Sequence, residues 1–276
     1  IIRMKVQLFI SPKQNHSKMK MKYLAMIREV MSNREADIEL TEQFPDIIHV
    51  LGIWDLQATQ QITSAHNLNI PTILSTMGGM TPWQISHSRS LAAHNDWVKQ
   101  KKTVQQSSAV IVWGNTERME IEKRRLNEQV HLIPNALITS SISPIKMGDQ
   151  IIRLYDEIIK RHDLQIHTSI DKELNALGEN NEIEKKVCHQ FLYLQYQFHR
   201  QNIHSQTIEQ LKQTLLTVEY NEDILKSMLE QLHRNLFASR LMQLMAEDYN
   251  LTQGFMPLDP LEDKLSKQLK AFVRSI

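Results

Sequence analysis

Glycine is scarce in this chain, with seven in 276 residues. A loop that cradles phosphate with successive backbone N–H groups needs several glycines within a few positions, so composition argues against one. Cysteine is scarcer still. Cys188 stands alone, which excludes a disulfide within the chain and fits a reducing, cytoplasmic compartment. No apolar run approaches the ~20 residues needed to span a bilayer. Charge of one sign is missing too: 32 basic residues face 31 acidic ones, so no overall field recruits nucleic acid or an anionic membrane. The twelve histidines contain no His-x-x-x-His or His-Glu-x-x-His spacing, which speaks against a zinc site, and no cofactor is expected.

What is present is organised around Phe44 to Trp83. Ile47-Ile48-His49-Val50-Leu51 and Pro71-Thr72-Ile73-Leu74-Ser75 are short, apolar and β-branched, as suits strands buried on both faces of a parallel sheet. Between them, Leu56 to Asn67 places apolar residues at helical spacing, so the unit reads strand–helix–strand. Ligands of open α/β sheets sit outside the carboxyl ends of the strands. Those ends are Gly52-Ile53-Trp54 and Met77-Gly78-Gly79, where small residues admit a close approach.

Around this unit the pattern predicts strands at Lys5–Ile10, Ala36–Leu40, Ser108–Trp113 and Gln129–Ile133. It predicts helices at Lys18–Met31, within Ile85–Gln106, and at Thr116–Leu126 with Asn115 as its cap. The opening run, Ile1 to Ile10, reads as a first strand rather than a signal peptide, since no small-residue cleavage site follows. After Ser143-Pro144 the character changes to helical periodicity. Segments at Met147–His162, Ser169–Leu177, Glu182–Arg200, Ser205–Glu219, Asn221–Tyr249 and Leu261–Val273 follow one another without a strand-like run. The expected organisation is a doubly wound, mainly parallel α/β domain over residues 1–146 and an α-helical domain over 147–276.

The run D-I-I-H-V-L-G-I-W, followed by I-P-T-I-L-S-T-M-G-G-M-T-P-W, resembles the amino-terminal domain of the retaining, sugar-nucleotide-dependent glycosyltransferases of GT-B fold. Ser107–Val112 and Val130–Ala136 resemble two later strands of that domain, in the same order, so the likeness covers roughly Met4 to Leu137. It implies a Rossmann-like half that faces a glycan or lipid-linked acceptor, with hexosyl transfer from a nucleotide sugar as the parent activity. It also implies a setting at the inner face of a membrane or elsewhere in the cytoplasm. The departures are as informative. Leu51 and Met77 replace two histidines of the family pattern, and a thioether cannot shuttle a proton. Ala136 replaces a glycine, and Ser11 to His16 hold no glycine where the family has a Gly-rich loop. The donor-binding half has no counterpart: Glu120/Glu128 and Glu222/Glu230 match its glutamate spacing but lie in helix-like runs without glycine.

The candidate cleft residues are His49, Gly52, Trp54, Met77, Gly78, Gly79, Trp83 and Asn135, with no catalytic residue assigned. His49 suits either a ligand contact or a hydrogen-bonded core histidine. Gly78 and Gly79 suit either an anion-binding turn or a tight turn that needs positive φ. Trp54 and Trp83 suit either a stacking wall for a sugar or loop anchors. Asp46 and Asp55 flank one strand, Ser11 and Ser75 lack a nucleophile-elbow context, and Lys99, Lys101 and Lys102 suit either a phosphate or lipid-headgroup contact or a solvated helix face. Two functions follow. One is a glycosyltransferase-like protein of glycan biosynthesis, degenerate at its site and inactive alone, completed by a partner chain. The other is a non-catalytic interaction protein whose helical half binds a partner or a second copy. The support for the second is Leu225, Met228, Leu229, Leu232 and Leu236, which would line one long helix and need cover.

Overall fold

The computed structural model describes residues 3–12, 17–34, 37–87, 91–178, 180–201 and 203–274. The chain divides into two compact units, Ile1–His162 and Asp163–Ile276.

In the first unit six strands form one sheet: β1 (Met4–Ile10), β2 (Ile38–Leu40), β3 (Ile47–Leu51), β4 (Thr72–Ser75), β5 (Ala109–Val112) and β6 (Val130–Leu132). Their order is β2-β1-β3-β4-β5-β6 and every pairing is parallel. Parallel neighbours need crossovers, which α1 (Lys18–Ser32), α2 (Leu56–Asn67), α3 (Pro82–His87), α4 (Leu91–Gln106) and α5 (Asn115–Lys123) provide. Strands β3, β4 and β5 are buried at every position, which is why they read as continuous apolar runs instead of alternating ones. Alternate residues serve opposite faces: Ile47, Leu51 and Ile73 pack with α1, while Ile48, Val50 and Leu74 pack with α2 and Ile121 of α5.

The two units meet at 162/163, beyond the expected boundary at 146/147. The reason is the 32-residue helix α6 (Pro144–Asn175), whose first half belongs to the sheet unit. Met147, Ile151, Leu154, Tyr155 and Ile158 are buried in the same core as α1. Gly148 allows this, because a Cβ there would fall far inside van der Waals contact of Val30 Cγ1. Gly148→Ala is therefore expected to cost about 1–3 kcal/mol by overpacking. Adding Val30→Ala should recover part of it, and a double-mutant cycle in urea checks this. Full additivity of the two changes would refute the close approach.

The second unit holds the end of α6 with α7 (Glu182–His199), α8 (Ser205–Thr217), α9 (Glu222–Gln231), α10 (Asn235–Asp248) and α11 (Lys264–Arg274). Among the described residues it contains no strand.

Three expectations are corrected here. The segments at Met147–His162 and Ser169–Leu177 are one continuous helix, since nothing between them breaks the periodicity. Asn115 is not a cap but the first helical residue, and Gly114 precedes it in extended conformation. Asn221–Tyr249 is two helices: His233 adopts φ 57° and the N–H groups of His233 and Arg234 close back onto Glu230 and Leu229. That break folds both halves of the expected stripe onto one core. Leu225, Met228 and Leu229 are buried with Phe237, Leu241 and Met245, while Leu236 is exposed. Three of the five stripe residues are internal, so no long apolar face is left to require a partner.

Candidate functional site

Gly52 and Gly78 follow the carboxyl ends of β3 and β4, which are neighbours in the sheet. Both take positive φ, 102° and 84°, so both turns use glycine's freedom. An open cleft of about 580 Å³ lies at these ends. Trp54, Met77, Gly78 and Gly79 line it, together with Ser17 and Lys20 from the start of α1, Asp55, Thr76 and Gln84. The volume is in the range of small-molecule sites, about 300–1,000 Å³.

The two turns are knitted together. Trp54 sits at φ 65° and donates its indole N–H to the Gly79 carbonyl at 2.6 Å. Its backbone N–H donates to Gln100 Oε1 at 2.8 Å, and its ring stacks on Trp97, which Arg124 covers in turn. Gly79 has to be glycine for this approach, because a Cβ would run into Ile53 Cγ2. Beneath the second turn lies Glu117, a buried carboxylate from α5. It accepts from Thr76 Oγ1 at 2.6 Å, the Met80 N–H at 3.0 Å and the Trp113 N–H at 3.1 Å. Asp55 caps α2 by accepting the N–H groups of Gln57 and Ala58.

His49 does not line the cleft. It is fully buried on the α1 side of the sheet, with Nδ1 2.6 Å from Tyr155 Oη and Nε2 2.7 Å from Ser75 Oγ. Burial lowers its pKa to about 3, so the ring is neutral, with one nitrogen donating and the other accepting. Tyr23 extends this buried group: its hydroxyl lies beside Ser75 and Trp113 without a well-aligned bond, and burial raises its pKa. Gly52 is buried behind the cleft, its N–H on the Ser75 carbonyl. Trp83 is 61% exposed on α3 and, unlike its neighbour Gln84, is not part of the lining. Asn135 is buried at the end of β6 and accepts the Leu137 N–H.

Asp46 and Asp55 stand at opposite ends of β3, so they form no carboxylate pair; Asp46 accepts the Lys5 N–H at 2.7 Å. Lys99, Lys101 and Lys102 are exposed along α4. Phe191 is buried in the helical core, and Tyr193, Tyr196 and Phe198 pack against it. Among the described residues no helix is long and apolar enough to cross a membrane, and no group of His, Cys, Asp and Glu could hold a metal ion.

Sequence reasoning missed Lys20, Gln84, Thr76 and Glu117. Lys20 looks like any surface lysine in its helix, yet it is half-buried at the cleft. Burial lowers its pKa, and the Asp55 carboxylate partly offsets that. The lining thus sets one cation and one anion near each other, flanked by an amide, hydroxyls and the edge of an indole. A donor-and-acceptor set of zero net charge suits a neutral, hydroxyl-rich ligand better than a phosphate. Set against protein-family models, curated proteins and solved structures, the chain matches none.

Proposed function

We propose that the sheet unit is a glycosyltransferase-like, acceptor-side half that binds a neutral saccharide and carries out no sugar transfer alone. The observation that supports it is the cleft at the carboxyl ends of β3 and β4, where Lys20 and Asp55 oppose each other beside Trp54. Lys20 donates to ring hydroxyls, Asp55 accepts from them through lone pairs left over from capping, and Trp54 offers apolar surface to a sugar face. Met77 occupies the turn where the resembled family carries a histidine, at φ 54°. A thioether there leaves that turn without the proton-transfer group of the resembled family.

Titration calorimetry of the full chain with mono- and disaccharides, and separately with nucleotide sugars, tests this. Saccharide binding is expected, with no transfer to any acceptor. Lys20→Ala should weaken it about 10- to 100-fold, the range for a hydrogen bond to a charged group. Asp55→Asn, which keeps the helix cap, should weaken it less. Saccharide affinity unchanged in Lys20→Ala would remove the cleft from the proposal, and transfer by the chain alone would refute the loss of catalysis.

A further inference from the structure

The helical unit contains a second cluster of titratable groups that has no part in the cleft. At the seam between the end of α6 and α7, three rings form a column. His189 stacks on His167 with centroids 5.0 Å apart and planes at 13°, and His167 stacks on Tyr193 at 4.5 Å and 28°. The facing nitrogens, His167 Nδ1 and His189 Nε2, are 3.2 Å apart. A hydrogen bond of that kind requires one nitrogen to carry the proton and the other to be bare.

We propose that His167 and His189 act as a pH-sensitive switch on the α6–α7 seam, closed while at most one of the two rings is charged and loosened when both are. A neutral pair keeps its bond, and so does a singly protonated pair, in which the charged ring donates. The second proton places two N–H groups and two positive charges against each other at hydrogen-bond distance, and the bond has no acceptor left.

The surroundings grade the two steps. Asp171, one turn after His167 on α6, holds Oδ1 3.6 Å from His189 Nε2 and favours the first proton. On α7, Lys185 and Lys186 line a separate surface pocket with His189 and oppose the second. Glu182 from that helix pairs with Lys185, which moderates its effect. Glu184 is turned to the Asn221 N–H, and the contact from α8 is neutral, Gln190 to Thr214. Burial disfavours charge on His189, the neighbouring His167 adds to this, and Asp171 works against both. Histidine is the side chain whose ordinary range falls between pH 5 and 8, and burial with the neighbouring ring moves the second step to the acid side of it.

The test uses the full chain with isotope-labelled histidine, following the imidazole resonances by NMR from pH 8 to 4. The two rings are expected to titrate together in two steps separated by about one pH unit or more, as coupled sites do. In His167→Gln, His189 should collapse to a single step at higher pH. Hydrogen exchange of α6–α7 amides, corrected for the intrinsic pH dependence, should lose protection about tenfold or more between pH 7.5 and 5 in the native chain. In His167→Gln the loss should be clearly smaller. Independent single-step titration of each ring in the native chain would overturn the switch, and so would seam protection that does not change with pH. Should His167→Gln fail to fold, the titration of the native chain decides alone.

Discussion

Acidification from pH 7 to 4 is expected to strip about 3 kcal/mol of stability from the sheet unit through His49 alone. The residue is fully buried and its pKa falls to about 3 because no water solvates the charged ring. In the unfolded chain it returns to about 6.5. The folded form is therefore the one that binds fewer protons below pH 6.5. Its contribution is complete above that value, and it falls by about 1.4 kcal/mol per pH unit until the folded pKa is reached. His131 adds in the same direction, since burial lowers its pKa as well. All four tryptophans, Trp54, Trp83, Trp97 and Trp113, lie in this unit, so indole fluorescence follows its unfolding separately from the helical unit. His49→Gln replaces the ring by a non-titrating amide. It should lower stability at pH 7.5 yet flatten the dependence of the urea midpoint between pH 6.5 and 4. An identical slope in the variant would exclude His49 as the source. Should the variant not fold, the His49 resonance in the native chain must stay neutral at pH 4.5.

Removing the Glu117 carboxylate is the second large effect. In Glu117→Ala the Thr76 hydroxyl can turn to the Ile111 carbonyl, from which it already lies 3.3 Å. The N–H groups of Met80 and Trp113 have no such alternative. Each buried donor left unpaired costs about 1–3 kcal/mol, and the cavity adds to it, so a total of about 3–5 kcal/mol is expected. Glu117→Gln should be milder but not neutral. Oε1 can still accept from Thr76 and Met80, whereas the amide nitrogen then faces the Trp113 N–H, donor against donor. Fluorescence-detected urea unfolding measures both. A loss under about 1 kcal/mol for Glu117→Ala would show that the carboxylate does not hold the turn. Because the same carboxylate accepts from both Thr76 and Met80, the saccharide binding proposed for the cleft should also fall in Glu117→Gln even where folding survives.

The features legible in the sequence were those set by neighbours along the chain. Ile47–Leu51 and Leu56–Asn67 stand where their apolar spacing placed them. Gly52 and Gly78 mark the two turns because each needs a conformation that other residues adopt at a cost. The parallel sheet followed from strands alternating with helices.

Tertiary structure decided what depends on residues far apart. His49 became a neutral core group because Tyr155, more than a hundred positions away, reaches its ring. Glu117 became the support of the β4 turn through partners in the turns that follow β4 and β5, and nothing in its own helix announces this. Lys20 faces the cleft because α1 packs beside β3, whereas its local pattern is that of a solvated face. The break at His233 carries no glycine or proline; histidine tolerates positive φ better than most residues, and α9 and α10 pack on one core on either side of it. Local periodicity fixes which face of an element is apolar, but the partner that covers this face is chosen only when the whole chain closes on its cores.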